Sequence, residues 1–252
     1  MSDLSKSRFK FLQSLKTKKF RDKHKLFIAE GEKIVNEIIQ QNTFRIDCIY
    51  ATQEWIENSP SLDKYSRKIT CISELSLKKI SNLKSPNKVL AILEYPVHKD
   101  QEPDEDNYNL MLDNIQDPGN LGAIIRIADW FNINKIYCSE HCVELFNPKV
   151  IQSSMASFLR VKVIKTDLNE LLNKYNQMIS YAATLEGEPI HSIKFPRQGF
   201  LIIGNEGAGI TRELLQNTKK QLTIPKLGKA ESLNAAVATG IILAQLKASM
   251  LE

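Results

Sequence analysis

From Ser232 to Leu246 the chain carries no charged side chain and one glycine, Gly240. A helix built from SLNAAVATGIILAQL is apolar nearly all round, and such a helix must be buried in a core or an interface. Fifteen residues fall short of the roughly 18–20 that cross a bilayer, so no membrane span is expected. Ser232 is the expected N-cap, with Asn234 beside it where the preceding polar loop becomes helix. The N–H groups of a helix start face whatever lies in front of them, and a ligand is expected there.

Just upstream, LIIGNEGAGI (201–210) is an apolar run ending in a Gly-rich turn. Gly204, Gly207 and Gly209 are spaced GxxGxG, not the GxGxxG of dinucleotide sites. A Rossmann-type fold places its Gly-rich turn after the first strand, whereas only 43 residues follow Gly209. No GK[ST] follows either, so a Walker loop is absent. What remains is a turn at the carboxyl end of a strand that lets backbone approach a ligand. Glu206 inside it disfavours a phosphate guest and favours an amine, sulfonium or hydroxyl.

Before this stretch, strands and helices alternate. A basic helix is expected over 4–20 with Phe9, Leu12 and Leu15 on one side. Then come a strand at LFIA, a helix over Gly31–Gln41 burying Ile34, Val35, Ile38 and Ile39, and a strand over 44–52 with a helix from Gln53. A helix over 73–83 and a strand over 88–96 close a small α/β domain over 1–98. HKDQEPDEDN has no apolar side chain, and the linker is placed at 99–107. Residues 108–252 read as strand 108–114, helix 121–131, strand 134–139, helix 147–158, strand 159–165, helix 167–175 and strand 178–185. Strands at 199–204 and 222–224 and the closing helix complete a mostly parallel, two-sided sheet.

Charge divides along the same boundary. Residues 1–98 hold 18 Lys/Arg against 11 Asp/Glu, and 99–252 hold 16 against 18. Ser5–Lys25 alone has nine basic residues and one acid, the footprint of a surface that grips a phosphate backbone or, more blandly, of a solvated helix face. No secretory h-region is visible at the N-terminus. Cys48, Cys71, Cys138 and Cys142 are scattered. The pair Cys138-x3-Cys142 has no second pair to complete a zinc set, so free structural thiols, no metal and a cytoplasmic location are expected.

Asp117-Pro118-Gly119-Asn120 opens the 121–131 helix, and Arg126 follows among Ile124, Ile125, Ile127 and Ala128. An arginine emerging from an apolar face calls for an anionic partner. The four histidines stand in unrelated contexts, and no Ser–His–Asp or Cys–His set is readable.

Three stretches, LDNIQDPGNLGAIIRIADWF, LIIGNEGAGI and IPKLGKAESLNAAVATGIILA, resemble the three motifs of the SpoU/TrmH-type RNA ribose 2′-O-methyltransferases of the SPOUT superfamily, in the same order. The first 98 residues, with FIAEGEKIV as the recognisable piece, resemble the L30e-like RNA-binding domain often fused in front. The resemblance implies an α/β fold whose parallel sheet holds a deep trefoil knot, a homodimer through helices of motifs one and three, and S-adenosylmethionine as cofactor. Carried over, cofactor binding falls on Gly204, Ile224 and Leu233, with Thr184, Leu185 and Asn205. Catalysis falls on Arg126 and Asn120, with Glu206, Ser232 and Asn234 positioning ribose and loop.

The implied reaction moves a methyl group to a ribose 2′-oxygen, which requires in-line positioning and removal of the hydroxyl proton. Arginine is a poor base, since its pKa exceeds about 12. Arg126 is therefore expected to bind the target phosphate and stabilise developing alkoxide. The appended domain favours ribosomal over transfer RNA. A catalytically silent RNA-binding protein of the same fold and a Rossmann-like nucleotide enzyme are the competing readings.

Overall fold

The computed structural model describes residues 4–59, 62–83, 85, 87–96 and 102–250. Contacts divide the chain into two compact units, one taking in Met1–Lys99 with Phe146–Leu159, the other Asp100–Leu145 with Arg160–Glu252.

The first unit runs α1 (Lys6–Ser14), α2 (Lys18–His24), β1 (Leu26–Glu30), α3 (Glu32–Gln41), β2 (Ile46–Ala51), α4 (Gln53–Asn58), β3 (Ile69–Cys71), α5 (Glu74–Ile80) and β4 (Val89–Glu94). Its sheet has the order β1-β4-β2-β3. β4 is antiparallel to both neighbours, and β3 is parallel to β2. The expected single helix over 4–20 is two. Arg21 folds back to donate from Nη1 to the carbonyls of Leu15 and Lys16, both at 2.7 Å, which occupies the acceptors that a continuous helix would use. Leu12 and Leu15 are buried as expected. In α5, Leu77 and Ile80 are buried while Leu75 faces out, because Leu75 and Leu77 lie about 200° apart around a helix. Strand β3 was not expected from the sequence.

The second unit contributes β5 (Tyr108–Leu112), α6 (Pro118–Trp130) and β6 (Lys135–Cys138); the chain then forms α7 (Pro148–Ser153), which groups with the first unit. Next come β7 (Lys162–Lys165), α8 (Leu168–Lys174), β8 (Ser180–Pro189), β9 (Gly199–Ile203), α9 (Arg212–Asn217), β10 (Lys220–Thr223) and α10 (Ala235–Ala248). Six strands in the order β10-β8-β9-β5-β6-β7 are all parallel. β5 and β9, at the middle, bury every residue, as strands covered on both faces must. One face is closed by α8 and α9 through Leu168, Leu171, Leu172 and Leu214 against Met111, Phe200 and Ile202.

The helix expected over 147–158 stops at Ser153, because Met155 and Ala156 take left-handed backbone (φ 50° and 73°). Phe146 and Phe158 explain why this segment groups with the first unit. Phe146 lies 4.5 Å from Phe27 and 4.2 Å from Tyr95, and Phe158 lies 5.6 Å from Phe44 between ring centroids. Of the expected linker, residues 99–101 lie outside the described residues. Residues 102–107 are tied to the second unit: Lys174 pairs with Glu102 at 2.9 Å, and the Asn109 side chain exchanges two hydrogen bonds with the Asp104 backbone at 2.8 and 2.9 Å. Among the described residues no helix is long and apolar enough to cross a membrane.

Candidate active site

In open α/β sheets, ligands bind outside the carboxyl ends of the strands, where the strand order reverses. Here the chain moves outward from β5 to β6 and β7, then crosses to the other side for β8, β9 and β10. At the carboxyl ends of those last three strands is a cavity of about 640 Å³, within the roughly 300–1,000 Å³ of small-molecule sites. Three stretches build it.

The first stretch follows from an irregularity in β8. Its register against β10 jumps, so that Ala182 faces Gln221 but Glu188 faces Leu222. The intervening residues bow out, and Ala183–Glu186 line the cavity. Gly187 allows the return, since a Cβ there would sit 2.9 Å from the Leu222 backbone. Thr223 Oγ1 donates to the Leu185 carbonyl at 3.1 Å, fixing the bowed segment from the β10 side.

The second stretch is the turn after β9. Asn205 and Gly209 exchange backbone hydrogen bonds at 3.0 and 2.9 Å. Asn205 Oδ1 accepts from the Gly207 and Ala208 N–H groups, while its Nδ2 donates to the Asn114 carbonyl at 3.0 Å. Both acceptor positions of that amide are therefore taken by the turn. Gly209 has φ 71°, and a Cβ on Gly204 would stand 2.4 Å from the Gly209 carbonyl carbon. The turn folds back so tightly that only hydrogen fits at 204.

The third stretch is the loop from Ile224 to Leu233 with the start of α10. Ile224, Ser232 and Leu233 line the cavity. Ser232 is not the N-cap. Asn234 is, its Oδ1 accepting from the Ala236 and Val237 N–H groups at 3.0 and 3.3 Å. The amide at 234 closes the helix start two residues after the hydroxyl at 232, and Ser232 stays exposed in the loop.

All six residues expected to bind the cofactor (Thr184, Leu185, Gly204, Asn205, Ile224 and Leu233) line this one cavity, as do Glu206 and Ser232. Asn120 links the rest. Asp117 Oδ1 caps α6 by accepting the Asn120 N–H at 2.9 Å. The Asn120 side chain donates from Nδ2 to the Glu206 carboxylate and accepts at Oδ1 from Asn234 Nδ2 at 2.8 Å. One amide thus joins the helix start at 118, the turn at 206 and the cap at 234.

Arg126 does not join this cluster. It is exposed, and no hydrogen bond or ion pair reaches it among the described residues. Six positions after Asn120 it has turned about 600° around α6, so it leaves the helix on another side. Near it Trp130 is 84% exposed, and on the neighbouring α10 Val237 and Ile241 are 50% and 39% exposed. The two helices meet closely at Gly240, where a Cβ would lie 3.8 Å from Ile127 Cδ1.

Two supporting groups carry no legible sequence signal. Asp113, buried at the end of β5, accepts the Thr211 N–H at 2.8 Å and holds the far side of the Gly-rich turn. Beneath Asn114, Cys142 Sγ accepts the Ile115 N–H at 3.3 Å. A hydrogen bond from Cys138 draws the Cys142 thiol down to about 7 against the opposing effect of burial. The same bond, with burial, holds Cys138 well above its ordinary value. The four cysteines are free thiols.

The chain matches known proteins over both units. Residues 107–244 match the SpoU rRNA Methylase family model, and residues 6–91 match that of the MRM3-like substrate binding domain. It is 30% identical over 238 residues to the 23S rRNA (guanosine(2553)-2′-O)-methyltransferase RlmP of Bacillus subtilis, covering 93% of this chain and 94% of that one. An RNA methyltransferase of the TrmH family from Porphyromonas gingivalis superposes with a TM-score of 0.86 at 30% identity, over 97% and 98% of the two chains. An AdoMet-bound rRNA methyltransferase from Sinorhizobium meliloti does so with 0.87 at 26%, over 100% and 98%. With the motif-bearing cavity at the end of a six-stranded parallel sheet, these matches make the chain a member of the SpoU rRNA methylase family.

Proposed function

We propose that this protein is an S-adenosylmethionine-dependent methyltransferase acting on ribose 2′-hydroxyls of ribosomal RNA. The observation that carries the reading is the cavity that gathers Gly204, Ile224 and Leu233 from separate turns and loops, with Asn120 bonded to both Glu206 and Asn234 at its edge. The residues present fit the cofactor. Gly204 is a cradle that a Cβ would fill, the walls are mainly apolar, and Glu206 supplies negative charge suited to a cationic guest.

When bound, S-adenosylmethionine supplies a methyl group activated by its sulfonium. The protein's part is placement and charge. Asn120 fixes the Glu206 carboxylate and leaves its second oxygen free to accept from a ribose hydroxyl. Ser232, exposed in the loop, offers a further donor and acceptor. Asn234 spends its side-chain oxygen on the helix cap and one N–H on Asn120, so its role is to hold loop and helix in register. The bowed β8 segment and the 224–233 loop would close over a bound guest from the far wall.

Arg126 enters from a second subunit in this reading. α10 exposes Val237, Ile241, Ala244 and Ala248, spaced i, i+4, i+7 and i+11 with no charge among them. This continues into Trp130 and Arg126 on α6. Such a stripe supports a two-fold interface that would carry each Arg126 toward its partner's cavity, where it binds the target phosphate and steadies developing alkoxide. The reading includes the trefoil knot. A chain that turns inward from β8 to β9, back out to β10 and then returns through α10 to α6 supports it. Pulling on the two chain ends would leave the extended length short by the residues trapped in the knot; full contour length would refute it. The reading includes a cytoplasmic location, which a ribosomal RNA substrate supports.

Ribose-methylation mapping and nucleoside mass spectrometry of ribosomal RNA, from cells with and without the protein, test the activity. One 2′-O-methyl mark should vanish with the protein and return with the purified enzyme and cofactor. An unchanged modification profile refutes the proposal.

A further inference from the structure

The basic N-terminal segment displays an aromatic surface that the methyl-transfer cavity does not use. α2 is clamped from inside: Arg21, 2% exposed, is bonded to the Leu15 and Lys16 carbonyls. With Arg21 turned inward, Phe20 and His24, four positions apart, stand on the outer side. Phe20 is 37% exposed, and in this unit only Leu75 shares that exposure among the large apolar side chains described. Its ring lies parallel to the His24 imidazole, with planes 9° apart and centroids at 6.5 Å, within the range of offset stacks. Phe11 braces His24 edge-on at 5.1 Å and 81°. The two rings therefore form one oriented terrace.

Lys18, Lys19, Lys23 and Lys25, next to these rings in sequence, are all exposed. The single acid among them, Asp22, accepts from the Tyr95 hydroxyl at 3.2 Å and pairs with Lys18 at 3.9 Å. Lys25 lies 5.7 Å over the Tyr95 ring. Flat π-faces accompanied by cations match a nucleic acid strand with unpaired bases, whose phosphates take the cations while a base covers the rings. An acidic peptide would use the lysines but leave the parallel rings without a partner of the same shape. In a duplex the base faces are already stacked.

We propose that Phe20 and His24 are a stacking platform for an unpaired base of the RNA substrate, flanked by phosphate contacts from Lys18, Lys19 and Lys23. This rests on the RNA-methyltransferase reading and deepens it, since it selects RNA substrates that offer this unit a single-stranded segment. Every base has a π-face, so the platform sets strandedness and register, not base identity.

Full-length wild-type protein, Phe20→Leu and Phe20→Trp would be titrated into a fluorescein-labelled, unstructured 12-nucleotide RNA and into the blunt duplex of the same sequence. Leucine keeps the apolar contact and removes the ring. Phe20→Leu should weaken single-strand binding about 5- to 150-fold, the range of one base stack, and leave duplex binding within about twofold. Phe20→Trp should hold wild-type affinity for the single strand. Calorimetric affinity for S-adenosylmethionine should be the same in all three, which shows the second unit intact, and matching circular-dichroism melting curves show that the first unit is folded. Single-strand affinity unchanged in Phe20→Leu, or an equal loss on the duplex, would overturn the platform. An acidic peptide that displaces the single strand from wild type and from Phe20→Leu equally would overturn it too. Wild-type protein that binds no S-adenosylmethionine would instead sink the enzyme reading, whichever way the RNA comparison falls.

Discussion

Asn120 shows how much of this site depends on single side chains. An amide offers a donor group and an acceptor in one plane, and at 120 both are used, toward Glu206 and Asn234. Aspartate at 120 would set a second carboxylate against Glu206, and alanine would leave both partners unmatched. Arg126 is the opposite case, an exposed cation that no carboxylate pairs among the described residues. Arg126→Ala should lower kcat about 10²- to 10³-fold, the size of losing one preorganised charge stabiliser. Its affinity for S-adenosylmethionine should not change; near-normal kcat with intact RNA binding would remove the assigned role. The thiols give a second test at this scale. Cys142 should be the first of Cys48, Cys138 and Cys142 to form thiolate, half-titrated at about pH 7 although the thiol is buried. Cys48, which burial pushes up to about 11, should follow far later, and Cys138 later than its ordinary range. Cysteine 13Cβ shifts followed across pH report the order without needing reagent access, and equal midpoints would contradict it.

The elements around the cavity are rigid where a ligand must approach and adjustable elsewhere. Gly204 is the strictest position. Gly204→Ala would force the Gly209 backbone away from a 2.4 Å approach, at about 1–3 kcal/mol for overpacking. Melting should fall by roughly 2–10 °C for a unit of this size, and cofactor affinity should drop at least about tenfold. Wild-type affinity in calorimetry would show that the turn is not the cradle. Most elements were legible from periodicity, because buried parallel strands such as LIIG and YNLML are continuous apolar runs and α3 repeats Ile at helical spacing. The failures have local causes. α1 and α2 separate because Arg21 takes the carbonyls at 15 and 16, and basic residues at that spacing otherwise suggest a solvated helix face. The helix at 148 ends where Met155 and Ala156 go left-handed, and neither residue type announces that. β3 has three half-buried residues and thus no pattern. The cap fell at Asn234 and not Ser232 because both types cap well, and only the tertiary bond to Asn120 separates them.

At the scale of the whole molecule, the uncharged helix that dominates the sequence is only partly used within one chain. Its inner side packs on α6, while Val237, Ile241, Ala244 and Ala248 face outward. On the proposed two-fold interface, Ile241→Glu should turn the dimer into a monomer in sedimentation equilibrium without loss of secondary structure. Methylation should fall with it, and cofactor affinity should fall less, since the cavity lining comes from one chain. A variant that stays dimeric would point the stripe to a different partner. Which residues line the cavity at the strand ends could be read from motif resemblance. Its supports, Asp113, Asn114 and Gly187, could not, because each acts on a neighbour distant in sequence and belongs to a type that is ordinary on its own.

The bond between Asn120 and Asn234 spans 114 positions. During synthesis, a chain that has emerged only as far as the Gly-rich turn owns two of the three parts that its amide clasp unites and lacks the third. Such a nascent polypeptide has no finished pocket to load and no chemistry to perform. Competence therefore arrives all at once, when the helix capped by Asn234 closes the circuit, and with the proposed activity on ribosomal RNA the enzyme stays silent while the ribosome is still making that helix.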